Sequence, residues 1–280
     1  MNIQWYPGHM TKAKRMMQEN MKLIDLVIEL VDARIPLASR NPDIDDLGRG
    51  KARIVLLNKA DLADENANNQ WVSYFKARGC FAILINSKTG TGLKQIRSLV
   101  QEACKEKIER DRKRGILNRP IRAMVVGIPN VGKSTFINAF AGKACTKTGN
   151  KPGVTKGKQW IRLNKELELL DTPGILWPKF EDEQVGLKLA MIGSVNDEIL
   201  QTEELSVHLI DLLHERYEGV LKARFQIDES LKGAAILGEI CRVRKCYLKG
   251  EELDYRKAAG ILLEEFRSGK MGRLTLEWPV

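Results

Sequence analysis

Apolar residues in this chain fall into short continuous runs separated by longer stretches of helical spacing. The stretch Leu23-Ile24-Asp25-Leu26-Val27-Ile28-Glu29-Leu30-Val31-Asp32 contains a strand covered on both faces. Runs at 53–58 (Arg-Ile-Val-Leu-Leu-Asn), 81–86 (Phe-Ala-Ile-Leu-Ile-Asn) and 121–126 read the same way. Between and around them the spacing predicts a basic helix over 11–22, helices over 65–78 and 92–107, and another from Lys133. Strands alternating with helices of this length require crossover connections, so an α/β fold with a mainly parallel sheet is expected. Residues 158–163 and 166–171 read as a strand pair ending at Asp171. From about Glu181 the pattern changes to helices near 182–192, 203–217, 230–241 and 254–267, with strand character returning only at 273–278. The division this predicts is an α/β domain over 1–178 and a smaller all-α domain over 179–280, sizes a chain of 280 residues accommodates.

Composition adds constraints. No apolar run approaches the ~20 residues of a membrane helix. The start, Met1-Asn2-Ile3-Gln4-Trp5-Tyr6-Pro7-Gly8-His9-Met10, lacks the basic-then-apolar layout of a secretory signal, so a cytoplasmic protein is expected. Five scattered cysteines (Cys80, Cys104, Cys145, Cys241 and Cys246) fit thiols in a reducing compartment, and the spacing of Cys241 and Cys246 without a nearby histidine argues against zinc. The net charge of +10 is unevenly placed. Residues 1–178 carry 31 lysines and arginines against 17 acidic residues, whereas 179–280 carry 15 against 19. Dense stretches are 105–122 (Lys105, Lys107, Arg110, Arg112, Lys113, Arg114, Arg119, Arg122) and 143–158 (Lys143, Lys147, Lys151, Lys156, Lys158). Each could be ordinary solvated surface; two of them in one basic domain favour a polyanion such as RNA as partner.

Gly127-Ile128-Pro129-Asn130-Val131-Gly132-Lys133-Ser134 matches the phosphate-binding loop G-x-x-x-x-G-K-[ST] between an expected strand and helix. Its backbone N–H groups, from Asn130 through Thr135, would surround nucleotide phosphates at a helix N-terminus, Lys133 would reach the β/γ-phosphates, and Ser134 would ligate Mg²⁺. Asp171-Thr172-Pro173-Gly174 follows, offering the Asp171 carboxylate to the Mg²⁺ shell and the Gly174 N–H to the γ-phosphate. Thr155 in Pro152-Gly153-Val154-Thr155 is the natural second hydroxyl ligand, in a first switch. About seventy residues upstream stands Asn58-Lys59-Ala60-Asp61, the N-K-x-D pattern that reads guanine. The Asp61 carboxylate would accept from the ring N1–H and the exocyclic amine, which adenine cannot match. Ser87 and Lys88, after the next strand, resemble the loop whose backbone contacts the guanine carbonyl. In an ordinary GTPase the phosphate loop comes first; the inverted order marks a circularly permuted P-loop GTPase sheet binding GTP and GDP.

Ile175 stands where Ras-like enzymes carry a water-orienting glutamine, so hydrolysis is either slow or served by another group. Asn130 could coordinate a monovalent cation beside the phosphates, or only shape the loop. His9, after the Pro7-Gly8 turn, has a catalytic or switch role or is a structural imidazole. His208 and His214 fall on an amphipathic helix and read as structural.

Together these residues, with Trp5-Tyr6-Pro7-Gly8-His9-Met10, Asp32-Ala33-Arg34-Ile35-Pro36 and the helical C-terminal region, resemble the circularly permuted ribosome-assembly GTPases over nearly the whole chain. The resemblance implies a GTPase that binds the large ribosomal subunit and its rRNA late in assembly, is stimulated by it, prefers K⁺, carries an RNA-binding helical domain, and uses His9 in hydrolysis. The acidic region after Glu181 would need local patches for RNA, such as Arg242, Arg244, Lys245 and Lys249. A monomer away from the ribosome is expected. An alternative of different class is a nucleotide-gated RNA-binding placeholder in which Ile175 makes hydrolysis incidental.

Overall fold

A computed structural model describes residues 8–117, 119–146, 159–176, 182–195 and 201–279; the side chains of 8–10 and 13 lie outside that description. Six strands form one sheet in the order β3-β2-β1-β4-β6-β5. They are β1 (Leu26–Asp32), β2 (Ala52–Asn58), β3 (Phe81–Leu84), β4 (Ile121–Gly127), β5 (Gln159–Arg162) and β6 (Leu167–Asp171). All neighbouring pairs are parallel except the edge hairpin β5–β6. β1 is buried at all seven positions, as an uninterrupted apolar run in a central strand demands. Alternate residues separate to opposite faces: Val31, Val55 and Leu57 meet Trp71 and Phe75 of α3 (Glu65–Ala77), while Ile28, Leu30, Ile54 and Leu56 join the larger cluster on the other side.

The strands fall where the apolar runs place them, and three details differ. The helix expected over 92–107 is two helices, α4 (Leu93–Ala103) and α5 (Lys105–Lys113), broken at Cys104 with φ −103° and ψ 11°. Apolar periodicity lapses at that point, and α5 buries none of its residues. It leads through residues 114–120 into β4, so it is the joint that the inverted motif order requires. Two short helices, α2 (Asp43–Leu47) and α9 (Val220–Phe225), are too brief to show periodicity. Residues 273–278 form no strand: Leu274 N–H bonds Leu62 O and Leu276 N–H bonds Arg34 O, so the segment is shared between two loops instead of one ladder.

The remaining helices are α1 (Gly8–Met21), α6 (Lys133–Ala141), α7 (Glu183–Met191), α8 (Thr202–Arg216), α10 (Ala234–Val243) and α11 (Tyr255–Ser268). α11 packs on α8 and α10, giving the helical C-terminal region. The main apolar cluster runs from the sheet through Ile175 and Leu176 into Leu187, Leu205, Leu209 and Leu262. Among the described residues no helix is long and apolar enough to cross a membrane.

Candidate nucleotide site

Parallel strands deliver their C-terminal ends to one edge of the sheet, where open α/β sheets hold ligands. Register does the gathering: Asp32 lies opposite Asn58, Leu30 opposite Gly127, and Val125 opposite Asp171. The loops following β1, β2, β3, β4 and β6 therefore share one surface, and the inverted order of motifs along the chain is reconciled in space.

Asn58 pins three of these loops. Its buried amide donates to Val131 O at 2.7 Å, and its Oδ1 accepts from the N–H (3.0 Å) and Oγ (2.9 Å) of Ser87. The sequence assigns Asn58 to the base; its side chain holds the base-reading and phosphate-binding loops together. Gly132 belongs to the same contact, since its φ is +101° and a Cβ there would lie 2.5 Å from Asn58 Nδ2.

Asp61 is exposed and has no hydrogen-bond partner among the described residues, which leaves both carboxylate oxygens for a guanine edge. Lys59, in a left-handed conformation at φ +58°, extends its Nζ to 3.0 Å from Asp32 Oδ2. Asp32 is fully buried and also receives Arg34 Nε at 2.9 Å and Nη2 at 2.8 Å. Burial opposes its ionisation, but the charges of Arg34 and Lys59 prevail and hold the carboxyl well below the ordinary range. This anchor went unassigned in the motif reading, although Asp32-Ala33-Arg34 is conspicuous as charge directly after an apolar strand. Exposed Lys88 sits in a turn closed by Asn86 Oδ1, which accepts from the N–H groups of Lys88 and Thr89.

At the phosphate end, Val131 is buried, and Lys133, Ser134 and Thr135 occupy the first turn of α6. Lys133 Nζ folds onto Gly127 O and Ile128 O, each at 2.9 Å. Burial lowers its pKa to about 8 against the attraction of Asp171. Burial raises Asp171 to about 6, opposed by the charge of Lys133, and neither Asp171 oxygen has a hydrogen-bond partner among the described residues. An orphaned buried carboxylate beside a phosphate loop fits a divalent cation, for which Ser134 in the first turn of α6 would be the hydroxyl ligand. Bound Mg²⁺ would neutralise phosphate charge at this point. Gly174 completes the cradle, since a Cβ there would meet Lys133 Nζ at 2.8 Å and Pro129 at 2.9 Å.

Four residues of the sequence reading are refined by the structure or fall outside the description. Asn130 donates its amide to Gly193 O at 2.7 Å, so its side chain already ties the phosphate loop to the segment after α7. Ile175 is an anchor in the main core. Thr155 lies outside the described residues, and His9 lies in the first turn of α1 with its side chain outside them.

The basic clusters also resolve. Lys107 pairs with Asp25 and Asp111, Arg119 with Asp25, and Arg122 with Glu168. Lys105, Arg110, Arg112, Lys113 and Arg114 are exposed without an ion-pair partner among the described residues. Arg244 is no free RNA contact: it bonds Glu265 at 2.9 Å and lies over the Phe225 ring, so desolvation and pairing consume it. Lys245 and Lys249 stay exposed beside Tyr247 and Leu248.

A family model described as 50S ribosome-binding GTPase matches residues 122–237. The chain is 49% identical to Ribosome biogenesis GTPase A of Bacillus cereus, covering 100% of this chain and 95% of that one. Ribosome biogenesis GTPase A of Thermotoga maritima is 33% identical, covering 99% and 95%. Among solved structures, GNP-bound YlqF from T. maritima aligns with TM-score 0.65 and 29% identity over 96% of this chain and 98% of that one. A GDP-bound structure of TM YlqF aligns with TM-score 0.69 and 27% identity over 95% and 99%.

Proposed function

The chain belongs to the ribosome biogenesis GTPase A family, and from that premise we propose that it binds the large ribosomal subunit and couples GTP hydrolysis to a late step of its assembly. It is a GTP hydrolase of ribosome biogenesis. The observation that carries the proposal is the joint α5. Arg110, Arg112 and Lys113 in its last turn and Arg114 at its C-cap stand exposed, without an ion-pair partner among the described residues, on the same α/β region as the nucleotide site. RNA phosphate is the partner that such uncompensated charge recruits. Lys245 and Lys249, beside exposed Val243, Tyr247 and Leu248, offer a second contact from the helical region, whereas Arg242 is paired with Glu239.

In this reading Asp61, Lys59, Ser87 and Lys88 hold guanine, residues 130–135 and Gly174 hold the phosphates, and Ser134, Thr155 and Asp171 hold Mg²⁺. Asn130 Oδ1 supports K⁺ while its amide keeps Gly193, and His9 supplies the water-orienting group that Ile175 cannot. The protein works in the cytoplasm and is monomeric away from the ribosome.

Single-turnover GTP hydrolysis, with and without large subunits and in K⁺ or Na⁺, tests these assignments. Subunits should accelerate turnover, K⁺ should exceed Na⁺, and Asn130→Ala should lose that preference. His9→Ala should lower stimulated turnover ~10²–10⁴-fold with subunit binding intact. The core position of Ile175 favours a second reading, a nucleotide-gated placeholder. Nucleotide-dependent subunit binding without any stimulated hydrolysis would select it.

A further inference from the structure

The last turn of α11 touches neither nucleotide motif in sequence, yet it is connected to both ends of the site. On the base side, Arg34 Nη1 reaches Arg267 O at 3.4 Å and its guanidinium lies 5.4 Å from the Phe266 ring centroid. The same guanidinium forks onto Asp32, which holds Lys59 of the guanine motif. On the phosphate side, Arg267 Nε donates to Met191 O at 2.9 Å and Nη2 to Ala190 O at 2.7 Å, closing the C-terminal end of α7. Its guanidinium lies against Gly193, where a Cβ would come within 3.2 Å of Nε. Gly193 O then receives the Asn130 amide, and Ser194 Oγ donates to Pro129 O at 2.9 Å, so residues 193 and 194 hold the phosphate loop at two successive positions.

We infer that Arg267 is a positioning residue for guanine nucleotide binding. Its side chain, through the turn at Gly193, sets Asn130 and Pro129 around the phosphates, while its backbone carbonyl seats Arg34, which with Asp32 holds Lys59 of the guanine motif. Its side chain acts through Met191, Ala190 and Gly193, outside the nucleotide motifs. The two donations from its side chain to Met191 O and Ala190 O are charge-assisted hydrogen bonds, the class whose loss leaves a partner unsatisfied and displaces what it held. Asn130 at φ +57° is the element most exposed to such displacement, because a non-glycine residue stays left-handed only where its surroundings hold it. The arrangement also makes the coupling reciprocal: nucleotide that orders the two loops must favour the docked position of α11 to the same extent. Helical-domain contacts with a partner would thus be felt at the nucleotide without any change in the groups that touch it.

The inference rests on the assignment of the guanine and phosphate loops above, and the test separates the two. GDP dissociation constants are measured with a fluorescent GDP, below the melting temperature of every variant, for wild type and for Lys133→Ala, Arg267→Ala, Arg267→Lys, Asn130→Ala and the Arg267→Ala/Asn130→Ala double variant. Arg224→Ala is the matched control, since Arg224 forks onto Glu265 of the same helix at 2.7 and 3.0 Å without joining the connections described. Arg267→Ala should weaken GDP by about tenfold or more, and Arg267→Lys, which keeps only one carbonyl contact, by an intermediate factor. The double variant should be weaker than Arg267→Ala by less than the Asn130→Ala factor, the mark of a shared path. Arg224→Ala should lower the melting temperature and leave GDP affinity at the wild-type value. Unchanged GDP affinity in both Arg267 variants, an additive double variant, or an equal loss in Arg224→Ala would overturn the inference. Should Arg267→Ala fail to fold, Arg267→Lys and the control decide it alone. If Lys133→Ala binds GDP normally, the loop assignment itself fails, whatever Arg267 does.

Discussion

Asp61 and Asp32 are carboxylates of opposite kinds at one end of the sheet, and each carries a prediction. Asp61 is exposed and unpartnered, a group waiting for a donor pair. Asp61→Asn should weaken GTP by ~10²-fold or more and admit xanthine nucleotide, because the amide can donate to the carbonyl that replaces the exocyclic amine. Competition binding of the two nucleotides reads this directly, and a variant with wild-type GTP affinity would remove Asp61 from base recognition. Asp32 is already satisfied by Arg34 and Lys59, and its pKa lies well below the ordinary 3.8. A depressed carboxyl contributes stability that is fully present above about pH 3.8 and is lost as pH falls below it, because the unfolded chain then binds the extra proton. The urea midpoint of wild type should therefore exceed that of Asp32→Asn by more at pH 7 than at pH 3. A gap independent of pH would mean that Asp32 is not charged in the folded protein. The motif Asn58-Lys59-Ala60-Asp61 was legible because guanine dictates its residue types. The pinning by the Asn58 side chain was not, since it depends on a 2.7 Å contact to Val131, 73 positions away.

Elements were legible wherever burial imposes a period. β1, β2 and β4 are enclosed strands whose apolar runs admit no other reading at their length, and the longer core-lining helices α6, α7, α8, α10 and α11 keep their spacing. α5 shows the limit: it buries no residue, so the helical spacing over 92–107 reaches only its first three residues and the rest reads as a basic, polar stretch. What marks it is charge. A helix that meets the core only through half-buried Ile108 and carries Arg110, Arg112 and Lys113 in its last turn gains from the helix dipole there and leaves those side chains to solvent or a partner. Replacing Arg110, Arg112, Lys113 and Arg114 with glutamine should leave GDP affinity and melting temperature near wild type. It should weaken binding to large subunits and reduce the slope of log K against log salt by up to about 0.7–0.9 unit per lost phosphate contact. Unchanged binding across a salt titration would return α5 to plain solvated surface. The same logic applies to the segment from Lys143 less directly, because residues 147–158 lie outside the described residues.

The whole molecule is closed by its last described residues, which return from α11 to the α/β domain and bind it at five places. Arg273 Nε donates to Ala63 O at 2.9 Å, Leu274 N–H to Leu62 O at 2.9 Å, and Thr275 Oγ1 accepts from Asp64 N–H at 3.0 Å. Leu276 N–H bonds Arg34 O at 2.9 Å, and Glu277 accepts from Leu37 N–H at 2.8 Å, from Ala38 N–H at 3.1 Å and from Lys188 at 3.2 Å. The carbonyl of Glu277 receives the indole N–H of Trp71, a fully buried side chain at the centre of the smaller core. A strand would have satisfied these N–H groups with a neighbour's ladder; here the alternation in 273–278 is matched to loops, and the period-2 pattern in sequence could not say which. Because this strap touches the domain containing its own N-terminal half, and the apolar core is continuous through Ile175 and Leu176, the α/β and helical regions should unfold together in one transition. Truncation after Gly272 removes those partners at once and leaves the Trp71 indole and the Leu37 and Ala38 N–H groups to find water. It should lower the unfolding free energy by about 3–5 kcal/mol, and Glu277→Ala alone by about 1–2 kcal/mol. Urea unfolding followed in parallel by tryptophan fluorescence and far-ultraviolet circular dichroism checks both numbers. Coincident transitions in wild type with a lower midpoint in the truncated chain support closure by the strap, whereas two separate transitions in wild type would show that the regions are stable independently and that the tail only decorates the sheet domain.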